Sequence, residues 1–334
     1  TIYEEWKTSV HAAAWVDPQF QAELHKDPEV AWVCLNCHTP LSNQQPRLVK
    51  ERGVVRNPTV AVNPFFDSGL QEEGVTCLAC HWRPSGIAAA HKDVRAPHAT
   101  VYDPNLASDD LCERCHQARA RLDDVLVCHF NTGDEKRSAG IEQTCSSCHM
   151  PSIERPAVLG GPIRSVGRHH WPGSGIGKGH AEAVEGLNGL DIKAQWRAAE
   201  GQVQVSLMNA RAGHMIPTGD PERAIEIRMK LLDASGQALE AQKERIGQVW
   251  VWAPVAKQRS DNRIQVGETR RVTWSPSLQP SAAKIEVEVF HVRLSPENLQ
   301  YHLELIRSGH PGPTEQALLS YPTERRLFVQ AWSI

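Results

Sequence analysis

Four short segments of the chain place two cysteines and one histidine at the spacing C-x-x-C-H. They are Cys34-Leu-Asn-Cys37-His38, Cys77-Leu-Ala-Cys80-His81, Cys112-Glu-Arg-Cys115-His116 and Cys145-Ser-Ser-Cys148-His149. The chain has 9 Cys and 16 His among 334 residues. At that composition, chance produces one such segment about 0.01 times. Four copies therefore indicate a shared chemical task.

The C-x-x-C-H spacing is the attachment signal for c-type haem (heme c). Two thiols three residues apart lie on one turn of chain, so each can add to a vinyl group of the same macrocycle. The histidine that follows then lies under the iron as its proximal ligand. We therefore predict four covalent haems on the eight motif cysteines. The predicted proximal ligands are His38, His81, His116 and His149.

Cysteine pairs of this spacing also occur in other sites. Eight cysteines could build two zinc sites with four thiolates each, and C-x-x-C pairs also form disulfides or thioredoxin-like redox centres. None of these alternatives requires a histidine directly after the second cysteine. All four pairs have one, which favours haem.

Twelve further histidines are available as sixth ligands of the irons. Four of them would make every haem bis-histidine and low in potential, whereas methionine ligation would raise the potential. Met150 and Met215 each follow a histidine directly, so we favour histidine at those places. The predicted distal ligands are His11, His98, His170 and His214.

The reasons for these four histidines differ. His11 lies on a predicted N-terminal helix from Trp6 to Ala14, and His98 shares a polar loop with His91, of which one is a ligand. His170 is adjacent to His169, so at most one of the two ligates locally. Gly213 and Pro217 fix the backbone around His214. For His11 the alternative is a surface histidine, and for His214 an incidental residue of a tight hairpin.

The ninth cysteine lies outside the repeated pattern. Cys128-His129 looks like a haem motif without its first cysteine. A single-thioether fifth haem is one interpretation, and an intermolecular disulfide is another. We favour a buried thiol that packs as a small apolar residue.

Composition excludes several classes of protein. Lys+Arg number 36 and Asp+Glu 39, for a net charge of -3, so the basic excess of a nucleic-acid-binding protein is lacking. The longest unbroken apolar stretch, Val249–Ala256, is far shorter than the about 20 residues that cross a bilayer. Only six Phe and four Tyr are present, which suggests that macrocycles supply much of the core.

The pattern of residues predicts an α+β chain with two domains. Residues 1–172 should form a loop-rich, mainly helical tetrahaem domain, and residues 173–194 a glycine-rich connector. Residues 195–334 should form an antiparallel, sandwich-like β domain, because apolar and polar residues alternate there. Predicted helices and strands, in chain order, are 6–14, 19–25 and 109–123 (helical), 202–208, 224–232, 249–252, 269–274 and 284–290 (strands), 298–307 (helical) and 327–332 (strand).

The chain resembles the multihaem c-type cytochromes, in particular the tetrahaem electron carriers related to the hydroxylamine-pathway cytochrome of ammonia oxidisers. The resemblance covers roughly residues 1–220 and includes Trp6…Ser9…His11, the Cys145–Pro151 segment and the Gly213–Gly219 turn. It implies electron transfer through mostly bis-histidine haems. Similar haem chains occur in extracellular cytochrome filaments, where a histidine of one subunit ligates a haem of the next.

Three hypotheses for function follow. The first is electron transfer to redox partner proteins, either by single subunits or by a homopolymer with inter-subunit haem ligation. The second is an enzyme that converts a small nitrogen or sulfur oxyanion at one open iron. The chain has no C-x-x-C-K motif, which counts against this hypothesis. The third is a docking role of the β domain. Covalent haem attachment occurs outside the cytoplasm, so we expect a periplasmic or extracellular protein whose signal peptide has been removed.

Overall fold

The computed structural model describes residues 1–51, 53–92, 96, 98–122, 125–173, 175, 189–251 and 255–334. Most of the predicted connector at 173–194, and Trp252 of a predicted strand, lie outside the described residues. The helices are α1 Ile2–Lys7, α2 Pro18–Leu24, α3 Trp32–His38, α4 Ser68–Glu72, α5 Cys77–His81, α6 Asp109–His116, α7 Thr132–Ser138, α8 Cys145–His149, α9 Pro296–Arg307 and α10 Glu315–Leu319.

The strands are short in the first half of the chain and long in the second. They are β1 Arg47–Val49, β2 Val60–Val62, β3 Trp82–Arg83, β4 Gly86–Ala89, β5 Thr100–Tyr102, β6 Arg119–Leu122, β7 Val125–His129, β8 Ser152–Pro156, β9 Ile163–Gly167, β10 Leu190–Arg197, β11 Gln202–Asn209, β12 Ala224–Asp233, β13 Ala238–Val251, β14 Lys257–Asp261, β15 Thr269–Trp274, β16 Ala282–Val292 and β17 Glu324–Ser333. The predicted α+β class is confirmed.

The chain forms two compact units. The motif unit comprises residues 1–123, 142–186 and 296–322, and the sandwich unit comprises 124–141, 187–295 and 323–334. Helices α9 and α10 thus belong with the motifs, although the sequence suggested that everything after 195 is one β domain. Within the described residues, none of the helices combines the length and the apolar character needed to cross a bilayer.

The sandwich unit has two antiparallel sheets around one core. One sheet has the order β10-β11-β15 and the other β14-β13-β12-β16-β17. On β11, the side chains of Val203, Val205 and Leu207 are fully buried, and polar residues lie between them. This period of two is the reason the segment folds as a strand with one face on the core. Burying each such side chain stabilises the fold by about 1.5–3 kcal/mol.

In the motif unit, the C-terminal helices pack on α2. Ala22 of α2, Leu303 of α9 and Leu318 of α10 form a small buried cluster. Beside it, Nε2 of the fully buried His302 lies 2.9 Å from Oε1 of Glu23. This polar contact fixes α9 against α2, near the first motif helix in sequence.

A buried ion pair attaches α7 to the sandwich. The side chains of Arg263 and Glu135 are 4% and 2% exposed, and Arg263 also contacts Asp261. The second oxygen of Glu135 accepts a hydrogen bond from Thr218 at 2.7 Å. This network holds the 132–138 helix on the Gly213–Gly219 turn.

We expect Arg263→Met to lower the free energy of unfolding of the sandwich unit by about 3–5 kcal/mol, because it leaves the Glu135 carboxylate buried without its cation. The urea midpoint of far-UV circular dichroism measures the change. Arg211→Met is the matched control, since the Arg211–Asp191 pair is about half exposed and should contribute under about 1 kcal/mol. Equal midpoints for the two variants would contradict a structural role of the buried pair.

Candidate cofactor-binding site

Each C-x-x-C-H segment forms a short helix that ends at its histidine. The four helices are α3, α5, α6 and α8. Because residues three apart lie on the same side of a helix, both thiols of each motif point to one face. The first residue of α8 is held by a side chain, because Asp109 Oδ1 accepts a hydrogen bond from the Cys145 N–H at 2.6 Å.

The thiols gather around the third motif. The Cys115 thiol lies within hydrogen-bond reach of Cys37 of the first motif, and the Cys145 thiol of the fourth motif lies within reach of Cys112. Cys80 of the second motif lies near enough to Cys112 and Cys115 for their charges to raise its pKa. The third motif therefore lies next to each of the other three.

The chemical state of the thiols bears on the alternative sites. All nine cysteines are described, and none of them forms a disulfide. Burial, together with the neighbouring Glu23 carboxylate, raises the pKa of Cys34 to about 11; burial and the Cys112 and Cys115 thiols raise that of Cys80 to about 11. Such thiols stay protonated at neutral pH, unlike the thiolates of redox dithiol centres.

The motif histidines are oriented by the backbone. Nδ1 of His38 lies 2.8 Å from the carbonyl oxygen of Ala14, and Nδ1 of His81 lies 2.8 Å from that of Ala88. A carbonyl accepts, so each Nδ1 carries the proton and Nε2 keeps its lone pair. A hydrogen bond from the ring nitrogen that does not bind the metal is the usual way in which proteins orient a metal-binding histidine.

Two further histidines face motif histidines at a distance that fits an iron. The ring centroids of His11 and His116 are 6.2 Å apart, and those of His81 and His169 are 6.3 Å apart. A histidine nitrogen binds a transition metal at about 2.0–2.1 Å and lies roughly 1.1 Å from its ring centre, so two imidazoles across one iron have centroids about 6.3 Å apart. Both pairs match this span.

His11 comes into position through turns rather than through a helix. The predicted helix from Trp6 to Ala14 was wrong in its extent, because α1 ends at Lys7. The His11 carbonyl accepts a hydrogen bond from the Val75 N–H at 3.0 Å. Gly74 has φ +61°, and a Cβ on it would lie 2.7 Å from the His11 carbonyl oxygen. Only glycine allows this approach, which fixes the backbone of His11.

His169 is held by a carboxylate that the sequence analysis missed. Glu5 accepts hydrogen bonds from the His169 N–H at 2.9 Å, from Arg155 Nη1 at 2.8 Å and from Arg168 Nε at 3.1 Å. Burial opposes the charge on Glu5, but the bonds from Arg155 and His169 outweigh it and hold the pKa of Glu5 below its usual range. Nδ1 of His169 lies 2.9 Å from the Gly167 carbonyl oxygen, as in the motif histidines.

The other predicted distal ligands have different surroundings. His170 is half-buried. The sequence could not distinguish His170 from its neighbour His169, and it is the His169 ring that lies near His81. His98 is exposed, with Nδ1 3.3 Å from the Ala99 carbonyl oxygen. His214 belongs to the sandwich unit, and its Nδ1 lies 2.9 Å from the Met215 carbonyl oxygen. His98, His170 and His214 stay predictions.

Two arginines fit the acidic substituents of a macrocycle. Arg155 and Arg164 are cross-strand partners on β8 and β9. The Nε atom of each is buried and has no hydrogen-bond partner. A buried N–H without an acceptor is unfavourable, so a carboxylate at this place would complete the site. The residues present therefore fit a haem, which carries two propionates.

The ninth cysteine lies in the sandwich unit. Cys128 and His129 end β7, and the His129 ring lies 5.1 Å from the ring of Trp250, at an angle of 55°. The half-buried Cys128 remains compatible with the favoured packing role. The single-thioether interpretation stays a prediction.

Comparison with known proteins gives one match. No protein-family model and no curated protein matches the chain. A solved structure does: a penta-heme cytochrome c552 from Thermochromatium tepidum, at a TM-score of 0.65 and 20% sequence identity. The match covers 100% of this chain and 96% of the other. At this identity the two proteins share a fold, and function must be argued from the site.

Proposed function

We propose that this chain transfers electrons through four covalently bound c-type haems in the motif unit. The observation that carries the proposal is the pair of histidine couples, His11/His116 and His81/His169, each at the span of an iron and each beside two thiols of one helix. The fold is that of a protein described as a penta-heme cytochrome, which supports haem as the cofactor.

The residues would divide the work as follows. The two cysteines of each helix would hold the vinyl groups as thioethers, and the histidine that ends the helix would bind the iron. His11 and His169 would be the further iron ligands of the third and second sites. A c-type haem supplies reversible one-electron chemistry. Two sites closed in this way by protein nitrogen would favour electron transfer over binding of a substrate at the iron.

The arrangement of the motifs supports transfer among the sites. The thiols of the third motif contact those of the first and fourth, and lie near that of the second. Groups attached to these thiols must lie close together. We therefore propose that the third site is the junction through which electrons pass between the other three.

The number of haems is set by the cysteines in this proposal. Four complete motifs supply four sites, whereas the protein of similar fold is named for five. Cys128 and His129 are the residues that a fifth, single-thioether site would use. We propose four haems and, from the chemistry of covalent attachment, a place outside the cytoplasm.

Visible spectra of the dithionite-reduced holoprotein, with and without carbon monoxide, test the proposal. Carbon monoxide binds only an iron whose sixth position is empty or weakly held. We expect haem c bands without a carbon monoxide shift, and stepwise reduction at low potentials in a redox titration. A carbon monoxide shift with the amplitude of one haem in four would instead favour the oxyanion-converting enzyme. A spectrum without haem bands would overturn the proposal.

A substitution at Gly74 should open the third site. Gly74→Ala places a methyl group 2.7 Å from the His11 carbonyl oxygen and should displace His11 from the iron of the His116 site. We expect one haem in four to become reactive to carbon monoxide, measured as the amplitude of the shift in the reduced spectrum. Gly160→Ala is the matched control, because Gly160 has a similar φ of +73° and nothing within 4 Å. Equal behaviour of the two variants would contradict the role of Gly74.

A further inference from the structure

One tryptophan contacts both of the distal histidines. The ring centroid of Trp171 lies 4.7 Å from that of His11 and 5.1 Å from that of His169. The contact with His169 is edge-to-face at 78°, a favoured arrangement of aromatic rings. A single indole therefore contacts one imidazole of the second site and one of the third.

The backbone of Trp171 is held in an unfavourable conformation. Its φ is +29°, and Asn57 is the other described residue besides glycine with a positive φ. For a bulky side chain this conformation is a genuine outlier, which persists only where the surroundings impose it. Such strain is a pointer to function rather than to stability.

The surroundings of Trp171 fix the segment on both sides. The Trp171 carbonyl accepts a hydrogen bond from the Val10 N–H at 3.2 Å, one residue before His11. Gly173 has φ +59°, and a Cβ there would lie 3.0 Å from Cγ1 of Val10. His169 lies two residues before Trp171, and its backbone N–H donates a hydrogen bond to Glu5. Trp171 is thus tied to the chain segments that carry both histidines.

We propose that Trp171 is the positioning residue that sets the rotation of the His11 and His169 imidazoles about their bonds to iron, so that both sites depend on one side chain. The inference rests on the proposed function. The imidazole planes differ between the two sites: His11 and His116 are inclined by 51°, and His81 and His169 by 27°. Groups around a metal ligand orient it and tune the metal.

Electron paramagnetic resonance of the oxidised holoprotein tests this role, because the g values of a low-spin ferric haem depend on the angle between its two axial imidazoles. His11→Ala and His169→Ala identify the two signals, since each removes one. We expect Trp171→Ala to shift these two signals together and to leave the others in place. Trp171→Phe keeps an aromatic ring and should give smaller shifts of the same two signals.

The control is Phe20→Leu. The Phe20 ring stacks on His38 of the first site at 3.6 Å and 5°, so its removal should shift a different signal. Trp171→Gly separates the effect of backbone strain from that of the lost ring contact. Because glycine adopts a positive φ without strain, the Trp171→Gly protein should melt at a higher temperature than Trp171→Ala while showing the same g shifts. Unchanged g values in Trp171→Ala, or equal shifts of all signals, would overturn the inference. A wild-type protein without low-spin haem signals would instead overturn the proposed function.

Discussion

Replacing His169 with alanine is expected to make one haem in four reactive to carbon monoxide. The loss of its imidazole would leave the iron of the proposed His81 site with five ligands from the protein and the macrocycle. Absorption spectra of the reduced variant, before and after carbon monoxide, measure the effect as a fraction of the total haem. The same variant should show a high-spin fraction of one quarter in the oxidised state.

The neighbouring histidine provides the matched control for this prediction. His170→Ala changes the same residue type one position along the chain, and it should leave the His81 site six-coordinate because His169 remains bound to Glu5 through its N–H. If His170→Ala opened that site and His169→Ala did not, the assignment made from the 6.3 Å centroid distance would be wrong.

Removing the third site should slow electron transfer within the protein by orders of magnitude. Cys112→Ser with Cys115→Ser removes both thiols, and with them the proposed thioethers, of the motif that lies next to the other three. The variant should carry one haem fewer, and the remaining sites should no longer exchange electrons rapidly. Flash photoreduction with absorbance detection measures this internal equilibration.

The first motif provides the comparison. Cys34→Ser with Cys37→Ser also removes one haem, but the other three sites keep the third motif among them. We expect rapid equilibration among those three to persist. If both double variants equilibrated at the wild-type rate, the third motif would not be the junction.

The sandwich could be predicted from sequence wherever a strand has one buried face. The expected strands at 202–208, 269–274 and 284–290 lie in β11, β15 and β16, since alternation of apolar and polar residues records burial on one side. β14 was missed because all five of its residues are exposed. Its pairing with β13 comes from backbone hydrogen bonds, which leave no trace in composition.

Helices were predicted where local signals are strong. The helices predicted at 19–25 and 298–307 correspond to α2 and α9. In the structure Asp17 caps α2 and Pro296 begins α9, in accord with the usual residues at these places. The association of α9 with α2 could not be foreseen, because the Glu23–His302 contact joins distant parts of the chain. The predicted helix at 109–123 ends at His116, after which β6 begins.

The candidate site, too, could be predicted from the sequence only where the signal is local. The thiols and proximal histidines follow from a five-residue spacing, so they could be read locally. The position of His169 near His81 depends on Glu5, Arg155 and Gly167, which lie far away in sequence or on a strand that the sequence did not indicate. Local spacing identifies the chemistry, and long-range packing selects the partner.

Intact-mass analysis of the holoprotein, followed by mapping of haem-bearing peptides, tests the central claim most directly. The account predicts a mass equal to the chain plus four haems, with one haem on each peptide that contains a C-x-x-C-H motif and none on the peptide with Cys128. A motif peptide without haem, or a haem-free protein whose thiols hold zinc, would contradict it.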